Sequence, residues 1–423
     1  MLILNFNGSN NGLCHCFNSI SIVQRRNHMK SSFNFLRSIT QERPVGTSAN
    51  NTVLDLIENE IYNLGYQIVF LPFSCLVWER DTSALRIDDI SYEVFAGPFS
   101  NAFEGTAKIM VFDSLNALKK ANCKNNIIIL TGDIASEPLQ PKNYPFFYPE
   151  EHESFITLLE EKNPKAIITA TGKYSTNYPE PFPLFEDGNF LIPCAYISNT
   201  FIKELKQLEH QDVSLTLNSK NILVNTKQII ASKQSHKQSK GKIVICAHMD
   251  TKYNTPGALD NGTGVAVLIQ IMHKLKDLIC DYDIDYVFFN SEEYFGATGE
   301  LEYLEYIKHR QDKIQLVINI DSPCHFKSKT AISSYNANEK LIYVLESQVL
   351  NFDEIIIGEE WYSGNHTMFV FDGIPCIAVT SSNLFDTVST LAHTPMDTLD
   401  HVSPHLITST ADFLAEFVKS FVS

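Results

Sequence analysis

Apolar residues run through the second half of the chain in short blocks separated by polar turns. Ile243–Ala247, Ile284–Asn290, Ile314–Ile320 and Ile374–Thr380 are β-branched-rich and of strand length, which predicts buried strands. Val265–Leu275 is apolar enough for a buried helix. Near the end, Leu406, Ile407, Phe413, Leu414, Phe417 and Phe421 recur at helical spacing behind a Ser403-Pro404 start signal. Strand and helix alternate after Gly241. That alternation predicts an α/β fold with a mixed, mostly parallel sheet flanked by helices on both faces.

The first half reads differently. A short amphipathic helix is predicted over Met29–Thr40, and Arg43-Pro44-Val45-Gly46-Thr47 breaks it. Ser48 opens a second helix with Leu54, Ile57, Ile61 and Leu64 on one face and Gly65 closing it, and Tyr66–Leu71 follows as a strand. Residues 93–199 have another texture, with apolar runs at Ile127–Leu130 and Ala166–Ala170, a helix around Glu150–Glu161, and proline-rich connections. This predicts a small inserted α/β or β domain, a cap or spacer, that splits a main domain made of 29–92 and 200–423. Residues 1–28 are Asn/Ser-rich and are expected to be an unstructured extension, with Met29 as an alternative start.

Composition narrows the partners. The chain has 423 residues, 33 basic and 49 acidic, and a net charge of −16, which argues against nucleic acid or an anionic membrane surface. Lys233, Lys237, Lys240 and Lys242 lie among Ser and Gln and read as a solvated loop. The 9 cysteines form no compact framework, so reduced thiols are expected, and Cys14-His15-Cys16 lacks a second ligand pair. No apolar segment is long enough to span a bilayer and the start has no apolar signal core, so a cytoplasmic location is expected.

The predicted strands end in ionisable residues. His248 and Asp250 follow the first; a Pro/Gly-rich loop then delivers Asp260-Asn261-Gly262-Thr263-Gly264 to the apolar helix. Glu292-Glu293 follow the second strand, Asp321 the third, and His393 and Asp397 lie before the last helix. In an open α/β sheet such residues converge at the carboxyl edge, where ligands bind. Imidazole mixed with carboxylate suits zinc or a similar divalent ion, and this many buried carboxylates without a cation would repel one another. The sequon Asn261-Gly262-Thr263 falls inside this set and reads as chance.

These motifs resemble the co-catalytic di-zinc aminopeptidase family, whose relatives include glutamate carboxypeptidases, transferrin receptors and glutaminyl cyclases. The resemblance is carried by His248-x-Asp250, Pro256-Gly257-Ala258-x-Asp260-Asn261-x-Thr263-Gly264, Glu292-Glu293, Asp321, Gly373-Ile374-Pro375 and His393-Thr394-x-x-Asp397. Arg43-Pro44-Val45-Gly46-Thr47 is also similar, and 93–199 looks like the family's protease-associated domain. The resemblance implies two Zn²⁺ per chain, bridged by Asp260. It places His248 and Asp321 on one ion, Glu293 and His393 on the other, Glu292 as general acid/base and Asp250 behind His248. It further implies a peptide substrate with a free N-terminus. Where the family commonly has Ser-Asp-His this chain has Gly364-Asn365-His366, and Asn365 and His366 are expected to face substrate. Glutaminyl cyclase activity and a receptor-like binding role are the alternatives on the same scaffold.

Overall fold

The structure is a computed structural model in which residues 32–171 and 182–423 are described. Cys14-His15-Cys16, Met29 and the expected extension 1–28 lie outside the described residues. Residues 32–39 form the first described helix, inside the predicted span. The helix Ser48–Leu64 follows, with the Thr47 side chain accepting from the Asn50 N–H and Gly65 ending it at φ 78°.

Strand β1 (Gln67–Arg80) is far longer than the predicted Tyr66–Leu71. It leads into seven strands, β2 (Ser83–Ile87), β3 (Ile90–Ala96), β4 (Phe103–Phe112), β5 (Ile127–Leu130), β6 (Ala166–Thr171), β7 (Cys194–Ser198) and β8 (Asp212–Leu217). They close into a barrel in the order β2-β3-β7-β6-β5-β4-β8. The inserted unit therefore runs from Ser83 to Leu217, and bounds at 93 and 199 cut through β3 and leave out β2 and β8. The physical reason is closure: β2 and β8 pair with each other and with β3 and β4, so the barrel has an open edge without them. Aliphatic side chains such as Leu85, Val94, Ile109, Ile129, Ile168 and Leu215 fill its interior.

The chain returns along β9 (Ser219–Lys233), which pairs antiparallel with β1 from Gln67↔Ser232 to Arg80↔Ser219. The barrel thus hangs on the end of a two-stranded ribbon. The remaining strands are β10 (Lys242–His248), β11 (Asp283–Phe289), β12 (Ile314–Ile320), β13 (Thr330–Tyr335), β14 (Ile355–Ile357) and β15 (Cys376–Ser381). The sheet order is β1-β9-β11-β10-β12-β15-β13-β14. Its centre, β11-β10-β12-β15, is parallel. Antiparallel pairings join β9 to β11 and β15 to β13.

Side chains alternate across β10 and build two cores. Ile243, Ile245 and Ala247 join the cluster covered by helices Ser48–Leu64, Gly264–Leu275 and Pro404–Val422. Val244 and Cys246 join the opposite one, with Tyr303 of helix Thr298–Arg310 and Phe369. Ser403 caps the last helix as predicted, accepting from the Leu406 N–H. Lys242 corrects the reading of a solvated basic loop. It is 4% exposed, opens β10, and its ammonium lies 2.5 Å from Asp285 and 2.7 Å from Asp312. Cys75, Cys123, Cys194, Cys246, Cys280, Cys324 and Cys376 are all free and buried. Among the described residues, no helix is long and apolar enough to cross a membrane.

Candidate metal centre

The parallel strands deliver the site. β10 ends in His248, which is 1% exposed, and Asp260, Asp321, Glu292 and Glu293 arrive from the loops and strand ends beside it. His248 Nε2 lies 3.1 Å from Asp260 Oδ1 and 3.5 Å from Asp321 Oδ1. His393 Nε2 lies 3.3 Å from Asp260 Oδ2 and 2.9 Å from Glu293 Oε1. Three groups have their ligand atoms within 4.8 Å of one another: His248–Asp260–Asp321 and Asp260–Glu293–His393, which share Asp260, and His248–Glu292–Glu293, which lies between them. Asp260 turns one carboxylate oxygen to each of the two groups that share it. Glu292 stands at the side, with Oε2 4.0 Å from His248 Nε2.

The electrostatics are those of a cation site. Burial disfavours charge on either imidazole, yet Glu292 and Asp321 hold His248, and Glu293 and Asp260 hold His393, well above the usual histidine range. Burial raises Glu292 well above the carboxylate range, with help from Glu293, Asp321 and Asp260 and against His248. Burial likewise raises Asp321. Asp260 and Glu293 are lowered in spite of burial, Asp260 by both imidazoles and Glu293 chiefly by His393. Two imidazole nitrogens and a set of carboxylate oxygens, with one carboxylate shared, make a donor set that fits a pair of zinc ions.

Residues behind the ligands fix their backbone. Asp250 is fully buried, and its two oxygens accept from the N–H groups of Glu292 at 3.3 Å and Glu293 at 3.1 Å. Its Oδ1 lies 3.7 Å from His248 Nδ1, beyond hydrogen-bond length. Asp250 therefore holds the Glu292-Glu293 turn. Asp397 does the same for the shared ligand, accepting from the N–H groups of Leu259 at 2.6 Å and Asp260 at 2.9 Å. Burial and the neighbouring Asp260 push the Asp397 carboxyl up to about 7. Asn261 ties the next residue down: its Nδ2 donates to Ile320 O at 2.8 Å, and its Oδ1 accepts from Gly264 and Ser322.

Arg43 is the supporting residue that sequence reasoning missed. It is fully buried, and Nε donates to Met249 O at 2.6 Å, Nη1 to Ile39, Gln41 and Pro256 carbonyls, and Nη2 to Gly257 O at 3.0 Å. One guanidinium thereby clamps both ends of the loop that carries Asp250 to the turn before Asp260. Burial lowers its pKa to about 10, opposed by Asp397, Asp250, Asp260 and Glu293. The only available signal was the Arg43-Pro44-Val45-Gly46-Thr47 segment, which gave no hint of the partners.

A cleft of about 370 Å³ opens over the ligands. The barrel contributes Tyr144, Phe146, Phe147 and His152 to its wall, and the main domain adds Trp361, Asn365, Met368 and Leu384. Lys252 crosses this junction, with Nζ 2.9 Å from Glu186 of the barrel unit and 3.6 Å from Glu293. Phe99 packs edge-on against Tyr253, Tyr294 and Phe295 beside it. Asn365, 5% exposed, is among the residues lining the cleft. His366 is not, which corrects its assignment. It is fully buried, its Nε2 is 2.8 Å from Trp361 O, and its Nδ1 is 3.3 Å from Asn319 Nδ2. Both ring nitrogens are engaged behind the wall, and burial lowers the imidazole to about 4.

The metal-site motifs meet their counterpart in known proteins. Residues 228–418 match the model described as peptidase family M28, so the resemblance drawn from those motifs is borne out over that region. Aminopeptidase YwaD of Bacillus subtilis is 25% identical over 195 residues, a match covering 43% of this chain and 41% of YwaD. Among solved structures, BSAP, a zinc aminopeptidase from Bacillus subtilis, superposes with a TM-score of 0.73 at 19% identity, over 93% of this chain and 95% of that one. The aminopeptidase from Aneurinibacillus sp. strain AM-1 gives a TM-score of 0.71 at 17% identity, over 92% and 93%. The α/β architecture, sheet flanked by helices, is the architecture of these aminopeptidases.

Proposed function

We propose that the protein is a di-zinc metallo-exopeptidase that hydrolyses the N-terminal peptide bond of peptides. The observation that carries this reading is Asp260, whose two oxygens face two separate ligand groups with Glu292 beside them. His248, Asp260 and Asp321 would hold one ion; Asp260, Glu293 and His393 would hold the other. When bound, two such ions acidify a water and polarise the scissile carbonyl. Every other step falls to protein groups. Glu292 takes the water's proton and returns it to the departing amine. Asp250 and Asp397 keep Glu292, Glu293 and Asp260 in place through backbone N–H groups, and the barrel's side of the cleft helps exclude bulk water. The names of the related aminopeptidases support the choice of the N-terminal bond.

The test is metal content with matched activity. Wild type and Glu292→Gln are assayed on peptides with free N-termini while bound zinc is counted. About two zinc ions per chain in both proteins, with kcat lower by roughly 10²–10⁴-fold in the variant, is the expected result. Near-normal turnover by Glu292→Gln removes that residue from the mechanism. A single zinc with cyclisation of N-terminal glutamine moves the protein to the cyclase reading.

A further inference from the structure

The turn that carries Glu293 is also part of the seat of the barrel. Two tyrosines tie the loops of the metal edge to β1. The Tyr253 hydroxyl accepts from the Trp78 N–H at 2.7 Å, and the Tyr294 hydroxyl from the Leu76 N–H at 3.0 Å. From the barrel unit, Gly188 comes so close to Phe295 that a Cβ on it would fall 2.5 Å from Cζ of that ring. An ion pair joins the two sides. Lys252 Nζ lies 2.9 Å from Glu186 of the barrel unit, donates to Glu293 O at 3.0 Å and stands 3.6 Å from Glu293 Oε2.

The two carboxylate oxygens of Glu293 therefore face different partners. Oε1 lies 2.9 Å from His393 Nε2, and Oε2 faces the ammonium. A lysine head is a compact point charge, and at this distance it competes with a metal ion for the same carboxylate. The side chains of Lys252 and Glu186 are each 20% exposed and that of Glu293 is 6%, so solvent screens the three charges only in part. The nearer carboxylate, Glu186, takes most of the ammonium's charge. It is presented by a turn fixed within the barrel unit. Asp187 accepts from the N–H groups of Lys142 and Asn189, both at 2.7 Å, and Phe185 stacks on Phe190 with ring centroids 4.9 Å apart.

We propose that Glu186 is a positioning residue for the second cation site: by taking up the charge of Lys252, it leaves Glu293 free to hold zinc beside His393. The lysine ties the Glu293 backbone to the barrel, and the barrel's own carboxylate keeps that tie from drawing the ligand away. This rests on the di-zinc reading and gives the inserted barrel a part in it that needs no contact with substrate.

The test titrates zinc into the stripped full chain at one neutral pH, against a chelator of known affinity. Wild type, Glu186→Gln, Lys252→Met and the double variant are compared. Wild type takes up about two zinc ions per chain. Glu186→Gln is expected to weaken one of them by roughly tenfold, the size of coupling within one charged network, and to leave the other unchanged. The weakened step is the one that His393→Ala removes. The double variant restores the wild-type affinity, because no ammonium is left to neutralise. Lys252→Met alone binds both ions at least as tightly as wild type.

A merely structural Glu186 gives another pattern: the double variant stays as weak as Glu186→Gln, and that result overturns the proposal. Unchanged zinc affinity in Glu186→Gln overturns it too. So does weaker binding in Lys252→Met, which decides the matter should Glu186→Gln fail to fold. A wild type that binds fewer than two zinc ions removes the proposal together with the di-zinc reading. One that binds two and releases no N-terminal residue defeats only the exopeptidase reading.

Discussion

Strand β5 of the barrel and strand β10 of the main sheet are built alike and end differently. Each is fully buried, and each has a parallel neighbour on both sides. After β5 come Thr131-Gly132-Asp133, and Asp133 is exposed. β10 closes on His248, Met249-Asp250 follow, and Asp250 is fully buried. The neighbours make the difference. Beside β10, β11 leads to Glu292-Glu293 and β12 to Asp321. Beside β5, β4 leads to Asp113, which pairs with Lys206 at 2.8 Å on the surface and has its pKa lowered by that lysine. A strand-end carboxylate becomes chemistry when several strands deliver ligands to one buried point; alone, it caps a turn or finds a lysine.

The hardest test of this contrast is a pair of deletions. Asp260→Ala removes the shared ligand and is expected to lower kcat by roughly 10³-fold or more and to reduce bound zinc. Asp133→Ala, at the matching strand end of the barrel, leaves zinc content and turnover at wild-type values. Equal effects would mean that burial and convergence do not separate the two regions. Next in size is Arg43→Met, which removes the guanidinium donors to five backbone carbonyls, of which Ile39 O and Gly257 O keep a backbone N–H partner. Breaking a buried charged network costs about 3–5 kcal/mol, and urea unfolding should show the midpoint drop by that equivalent. The barrel rests on no comparable buried cation among the described residues, so a negligible shift would refute the clamp.

Much of the metal edge was legible in the sequence, and the reason is local. His248, Glu292, Glu293 and Asp321 each follow an apolar run closely, so strand direction alone places them at one edge. The illegible parts all depend on distant partners. Arg43 Nε meets Met249 O across 206 residues, and no spacing rule reaches that far. Lys242 looked solvated because Asp285 and Asp312 come from other elements. His366 looked like a substrate residue because its burial depends on Trp361 and Asn319. The barrel bounds were missed because β2, β3, β4 and β8 are defined by mutual pairing, and half-buried antiparallel strands carry weaker apolar runs than β5 or β6.

Chelation sharpens the comparison through pH. In stripped protein the carboxylates raise both imidazoles above their ordinary value of about 6.5. A raised histidine contributes stability that is full below the unfolded pKa and is lost as pH rises through the folded one. Glu292 and Asp321, raised by burial, act in the same direction. Asp260 and Glu293, lowered by the imidazoles, lose their contribution only on the acid side, below about pH 4.5. The chelated protein should therefore melt at progressively lower temperature as pH climbs above about 6.5. Excess zinc should abolish or reverse the slope, because deprotonated ligands bind metal better. Parallel melting curves with and without zinc would exclude a cation site here.

The smallest effect tests whether the barrel takes part in the reaction at all. Phe147 is 50% exposed and lines the cleft from the barrel side. It is not one of the proposed zinc ligands, so bound zinc, counted in parallel, should stay at the wild-type value when it is removed. If the barrel only spaces or steadies the main domain, Phe147→Ala should leave kinetics alone. If the barrel supplies the far wall of a substrate cleft, the lost apolar contact raises KM while kcat holds. Half-exposure limits the gain from burying the ring to about 1 kcal/mol, a shift of roughly fivefold for peptides long or bulky enough to reach it. A dipeptide too short to span the cleft provides the internal control. Equal KM changes on short and long peptides would return Phe147 to the surface. A change confined to the long ones would make substrate length the property that the barrel reads.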